Sequence, residues 1–148
     1  MTDRVKAPKK AARVARWAVT LTKWNIRRVL ARSKWELIAF RGPAGGESRG
    51  VVDLLAVRKD HGTPPRGMNR GDRLQIVLIQ VKGGRSAWPT LNDKHRLLAA
   101  KRWHRAGEVL LARWIRRRPP VRFFHLRANP SGSRGDWVEV AELETVFH

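Results

Sequence analysis

The chain has no cysteine and is short of acids: its 148 residues hold 12 Asp plus Glu against 32 Lys plus Arg, a formal charge of +20. Without thiols there is no disulfide, no thiolate zinc centre and no cysteine nucleophile. The lack of disulfides suits a reducing compartment. The expected localisation is cytoplasmic, with nucleoid association in a bacterial setting. No apolar run approaches the ~18 residues that a membrane span requires. The N-terminus lacks the apolar core and small-residue cleavage site of a secretory signal. Residues 1–34 are basic and amphipathic, as transit peptides are, but their helical part is too long and too rich in Trp for a discarded leader. There is no internal repeat and no Gly-x4-Gly-Lys-Ser/Thr phosphate loop. What remains is one domain of ordinary size, with a 42% hydrophobic share that suffices for a core.

A charge of +20 on a small chain calls for an anionic partner. Nucleic acid fits best, because each neutralised phosphate releases counterions and adds affinity. An anionic membrane surface would need a clearer apolar stripe facing the basic one, so no membrane partner is expected.

Residues 1–10 have little to bury and are expected as a flexible basic arm; residues 11–148 form the single domain. From Ala11 to Ser33 the pattern is helical, with Val14, Trp17, Ala18, Leu21, Trp24 and Val29 recurring at spacings near three and four. Residues 1–34 carry eleven Lys or Arg and one acid, Asp3. Strands are expected over residues 35–40, 51–57, 74–82, 109–115 and 121–126, with a short edge strand or helix lead-in at 137–140. A polar loop spans 58–73. A second helix runs from Thr90 to about Ala106, with Thr90 and Asp93 spaced as a capping pair. The expected fold class is α/β: a central mixed sheet flanked by helices, in the order α-β-β-β-α-β-β.

Two placements are costly for a buried sheet. Asp53 lies inside the apolar run Val51–Val57, and Gln80 and Lys82 end the most apolar strand, on the face that also carries Ile76 and Leu78. Buried ionisable groups neutralise, pair or bind a metal. An Asp53–Lys82 ion pair holding two strands in register is the plain structural reading.

The stretch Gly50-Val51-Val52-Asp53-Leu54-Leu55-Ala56-Val57, a loop, and then Ile76-Val77-Leu78-Ile79-Gln80-Val81-Lys82 resembles the PD-(D/E)XK nuclease superfamily. That is the restriction-endonuclease-like fold shared by Holliday-junction resolvases and Mrr-like enzymes. The resemblance covers residues 14–127, and its motif is short. It implies a metal-dependent nuclease that hydrolyses phosphodiester bonds in DNA, an endodeoxyribonuclease with Mg²⁺ or Mn²⁺ as cofactor. Asp53 would be the central ligand, Gln80 would occupy the place usually held by Asp or Glu, and the Val81 carbonyl would add a further ligand. Lys82 would orient or help deprotonate the attacking water. Hard Mg²⁺ prefers oxygen ligands, which these are. The chain departs from the family pattern twice. Gln80 brings an oxygen without charge, and residues 11–33 hold no acid where many members carry a Glu. Glu47, in the Gly-rich segment before Asp53, is the preferred replacement over Glu36.

For nucleic-acid contacts the candidates are Arg49, Arg85, Trp88, Lys94 and the run Arg116-Arg117-Arg118. Trp88 either stacks on a base or staples the following helix. Trp17, Trp24, Trp103 and Trp114 sit among periodic apolar residues and read as core. His95 and His104, nine residues apart, lack metal-ligand spacing on one helical face. Homodimerisation through the first helix or last strands would suit a two-strand cut. The rival functions are a catalytically inactive nucleic-acid-binding module of the same fold and a basic component of a ribonucleoprotein.

Overall fold

The computed structural model describes residues 6–40, 50–85, 88–115 and 121–148. Its elements run α1 (Lys6–Leu30), β1 (Glu36–Ala39), β2 (Leu54–Asp60), β3 (Arg73–Gly83), α2 (Leu91–His104), β4 (Glu108–Trp114), β5 (Arg122–Leu126) and β6 (Trp137–Glu139), with two single-turn 3-10 segments near the end. The six strands form one sheet in the order β1-β2-β3-β4-β5-β6. Every neighbouring pair is antiparallel except β3–β4, which is parallel and joined by the α2 crossover. A parallel pair needs such a crossover because its strands start at the same end. The α/β architecture and the element order follow the expectation. Among the described residues, no helix is long and apolar enough to cross a membrane.

Two cores lie on the two faces of the sheet. On the α1 face, Ile26 and Leu30 pack with Trp35, Leu54, Ala56, Val77, Ile79, Leu110, Ala112, Phe123 and Phe147. On the α2 face, Leu97 and Leu98 pack with Val51, Leu78, Val109, Leu111, Phe124 and Trp137. The alternation of Val77 and Ile79 with Leu78 sends successive β3 side chains to opposite faces. The N-terminus of α2 carries the expected capping box: Thr90 Oγ1 accepts the Asp93 N–H at 3.1 Å and Asp93 Oδ2 accepts the Thr90 N–H at 3.0 Å.

Three expectations need correction. Residues 6–10, read as part of the arm, are helical; Pro8 is tolerated because the first turn's N–H groups lack intrahelical acceptors in any case. Strand β2 begins at Leu54 rather than at residue 51, for the backbone reason given below, and extends to Asp60 opposite Arg73. Trp17, Trp24 and Trp103 are not core: they are 54%, 59% and 84% exposed. The buried stripe of α1 is Ala18, Thr22, Ile26 and Leu30, four residues apart. Its small residues matter because α1 nearly touches the end of β3. A Cβ on Gly83 would lie 2.6 Å from the Ala18 Cβ, and one on Gly84, at φ +65, 2.8 Å from the Val14 Cγ1. A Trp has no room in that seam. Trp114 does pack against the α1-side core.

Candidate active site

The site lies where β2 and β3 part. Asp53, one residue before β2, donates its N–H to the Ile79 carbonyl at 2.9 Å and accepts the Phe40 N–H on its own carbonyl at 3.1 Å. Its two backbone groups therefore point to opposite neighbours. A regular antiparallel residue sends both to the same partner, so the chain twists here and the β2–β3 ladder ends. The Asp53 carboxylate takes over: Oδ2 accepts the Val81 N–H at 2.7 Å. Two main-chain bonds and one side-chain bond thus hold a half-buried carboxylate in the opening between two strands. The carbonyl of Val81 shares the edge of its N–H, as strand geometry requires, and faces the same opening.

Gln80 and Lys82 flank Val81 on the α2 face of the sheet. Gln80 is 5% exposed, and its Oε1 is buried with no hydrogen-bond donor among the described residues. A buried amide oxygen left without a donor costs about 1–3 kcal/mol. Asp53 Oδ1 and Oδ2, the Val81 carbonyl and Gln80 Oε1 are all hard oxygen donors, the set that suits Mg²⁺ or Mn²⁺. They fit such an ion by donor chemistry, with one formal negative charge between them. Among the described residues no group of three or more His, Asp or Glu side chains is placed to hold a metal. Lys82 is half-buried at the end of β3, directly before the Gly83 seam with α1.

The second acid falls differently for the two candidates. Glu47 lies outside the described residues, as do Arg49, Arg116, Arg117 and Arg118. Glu36 is exposed at the far end of β1, opposite Val57, while Phe40 is the residue bonded to Asp53. Four residues of strand separate the two, about 13 Å, so Glu36 is not part of this site.

Lys94 is not at a nucleic-acid surface. It is 2% exposed beneath the 131–136 turn, where Nζ donates to Asp136 Oδ2 at 2.6 Å and to the Ser133 carbonyl at 2.7 Å. Asp136 also accepts the Ser131 and Gly132 N–H groups at 2.7 and 2.9 Å. The Lys94 ammonium, aided by those N–H groups, holds the Asp136 carboxyl well below the usual carboxylate range. This pair clamps α2 to the chain's final segment. A Lys in the first turns of a helix carries no sequence mark that separates this role from a surface one.

Arg85 is exposed at the turn after β3. Trp88 is half-buried: its ring meets Phe124 edge-on, with centroids 5.1 Å apart. The guanidinium of Arg113 lies 4.3 Å from the indole centroid, and that of Arg134 lies 5.8 Å from it. Sequence reasoning missed Arg113 and Arg134. The register of β3 with β4, which sets Lys82 beside Arg113, becomes visible only once the parallel pairing is known.

No family model matches the chain, and no curated protein matches it. Among solved structures it is similar to the Holliday junction resolvase Hjc of the archaeal hyperthermophile Archaeoglobus fulgidus, at 18% identity over 84% of this chain and 88% of that one, with a TM-score of 0.41.

Proposed function

We propose that the protein is a divalent-metal-dependent nuclease that hydrolyses phosphodiester bonds in DNA, with Asp53, Gln80 and the Val81 carbonyl holding Mg²⁺ or Mn²⁺ and Lys82 assisting the attacking water. What supports this reading is a buried amide oxygen, Gln80 Oε1, that lacks a hydrogen-bond donor among the described residues and belongs to the residue before Val81, whose N–H the Asp53 carboxylate accepts. A bound divalent ion would polarise the scissile phosphate and lower the pKa of the attacking water.

The chain's own residues do the rest. Asp53 is pre-positioned by three hydrogen bonds, so little reorganisation accompanies binding. Gln80 contributes an oxygen whose desolvation was met during folding. In this proposal Lys82, the residue after Val81, supplies an ammonium that orients water and opposes charge building on the phosphate. The excess of cations on the chain attracts the substrate. Glu47 stands as the second acid in this proposal, and a homodimer is the expected form for cutting two strands.

A second reading is a non-catalytic DNA-binding module of the same fold. What favours it is the single formal charge of the described donor set, in which Gln80 stands where a carboxylate would bind the ion more tightly.

The experiment is cleavage of supercoiled, linear and branched DNA with Mg²⁺, Mn²⁺ or EDTA. Cutting that requires the metal and disappears in Asp53→Asn and Lys82→Ala upholds the nuclease. Tight binding with no cutting under any metal selects the module.

A further inference from the structure

Three neighbouring strands place cations in direct register at the mouth of the site. Lys82 on β3 pairs with Arg113 on β4, and Arg113 pairs with Arg122 on β5. Like charges opposite one another on adjacent strands are destabilising, so the row works against the fold. Arg122 is relieved by Glu139, which accepts its Nε at 2.6 Å and its Nη2 at 2.5 Å. Arg113 has a further cation near it. Arg134, from the turn before β6, brings a second guanidinium over the same Trp88 ring. Burial and then the charges of Arg134 and Arg122 push the Arg113 pKa down.

We propose that Arg113 and Arg134, mounted on Trp88, form a subsite for a backbone phosphate of the DNA, next to the phosphate that Lys82 reaches. The proposal rests on the nuclease reading for its neighbour, and it adds a ligand and two positioning residues to that site. The chemistry of the parts agrees. A guanidinium is a planar fork that grips phosphate through two N–H groups. Stacking on an indole fixes the plane of the fork before the ligand arrives. Trp88 is itself held by Phe124, so the mount is rigid. A phosphate between the two guanidinium groups turns their repulsion into attraction. Adjacent strands are about 4.8 Å apart, which puts the Arg113 position one strand over from Lys82 along the substrate path. Held there, a flanking phosphate would fix which bond lies over Asp53.

The test is equilibrium binding of one DNA duplex by the full chain in EDTA, across a range of salt, so that no cutting is needed. The variants are Arg113→Gln, Arg134→Gln and, as a charge-matched control, Arg73→Gln. Arg73 stands at the opposite end of β3, nine residues from Lys82. The expected result is that Arg113→Gln and Arg134→Gln each reduce the slope of log K against log salt by about 1 and weaken binding several-fold, while Arg73→Gln leaves both unchanged. Arg113→Lys should keep the slope and still weaken binding, because it retains charge and loses the stacked fork. If both Gln variants behave like Arg73→Gln, with unfolding midpoints equal to wild type, the subsite is wrong. Arg134 is exposed on a turn, so its variant decides the matter should Arg113→Gln fail to fold. A wild type that binds with these slopes in EDTA but never cuts once Mg²⁺ or Mn²⁺ is supplied would overturn the nuclease reading and leave the subsite standing.

Discussion

Asp53 accepts the Val81 N–H at 2.7 Å in the place where a continued ladder would offer a main-chain carbonyl. One carboxylate therefore ends the pairing of two strands and remains in the opening it creates. Its structural and chemical duties are separable, because an amide oxygen can accept the same hydrogen bond without carrying charge.

Asp53→Ala removes the acceptor and should destabilise the fold by about 1.5–3 kcal/mol, the range for hydrogen bonds to charged groups. Asp53→Asn should cost less than half of that. Both variants should lose metal-dependent cleavage by about 10²-fold or more. Urea unfolding of the three proteins beside a cleavage assay checks the separation; equal activity in wild type and Asp53→Asn would remove the carboxylate from the chemistry.

Gln80 Oε1 is the buried oxygen without a donor. Gln80→Glu places a second charge there, which is unfavourable without a counter-ion and favourable with one. The variant should melt below wild type in EDTA and gain more than wild type from added Mn²⁺. Gln80→Leu should melt at or above wild type in EDTA and gain less. Thermal unfolding with and without Mn²⁺ reads all three.

The seam between α1 and β3 is tight enough to be tested by one methyl group. Gly83→Ala should destabilise by about 1–3 kcal/mol through overpacking, because its Cβ would sit 2.6 Å from that of Ala18. Adding Ala18→Gly should recover part of the loss, giving a coupling in the double-mutant cycle. Additive losses would show that the two residues do not meet.

The Lys94–Asp136 pair sets an acid dependence. A carboxyl whose pKa falls on folding adds stability above its unfolded value near 3.9 and loses it as the pH drops toward the folded value. The stability gap between wild type and Asp136→Asn should therefore be widest at neutral pH and narrow as the pH is taken below about 4. Denaturant titrations at pH 7, 5 and 3 check this; a gap independent of pH would contradict it.

Much of this arrangement was legible in the residues. The alternation in Leu74–Lys82, the Gly83-Gly84 stop and the Thr90/Asp93 box marked β3 and α2 closely, because local chemistry decides them. The same reading put Asp53 and Lys82 on two neighbouring strands, and β2 and β3 do pair. What escaped it was tertiary. Trp17 and Trp24 fit a 3.6-residue stripe as well as Ala18 and Thr22 do, and the approach of Gly83 to Ala18 favours the small stripe. Lys94 looked like any basic helix residue until Asp136 arrived from 42 residues away. The start of β2 moved because residue 53 turns its N–H and carbonyl to opposite neighbours, a feature of pairing and not of propensity. Arg113 and Arg134 gained their meaning from register and from a shared ring.

The central claim is that the oxygens around the split ladder form a divalent-cation site, and calorimetric titration of the DNA-free protein with Mn²⁺ tests it most directly. Binding of Mn²⁺ by wild type that disappears in Asp53→Asn and weakens in Gln80→Leu is the predicted result. Equal binding by wild type and Asp53→Asn, or none by wild type, would contradict it.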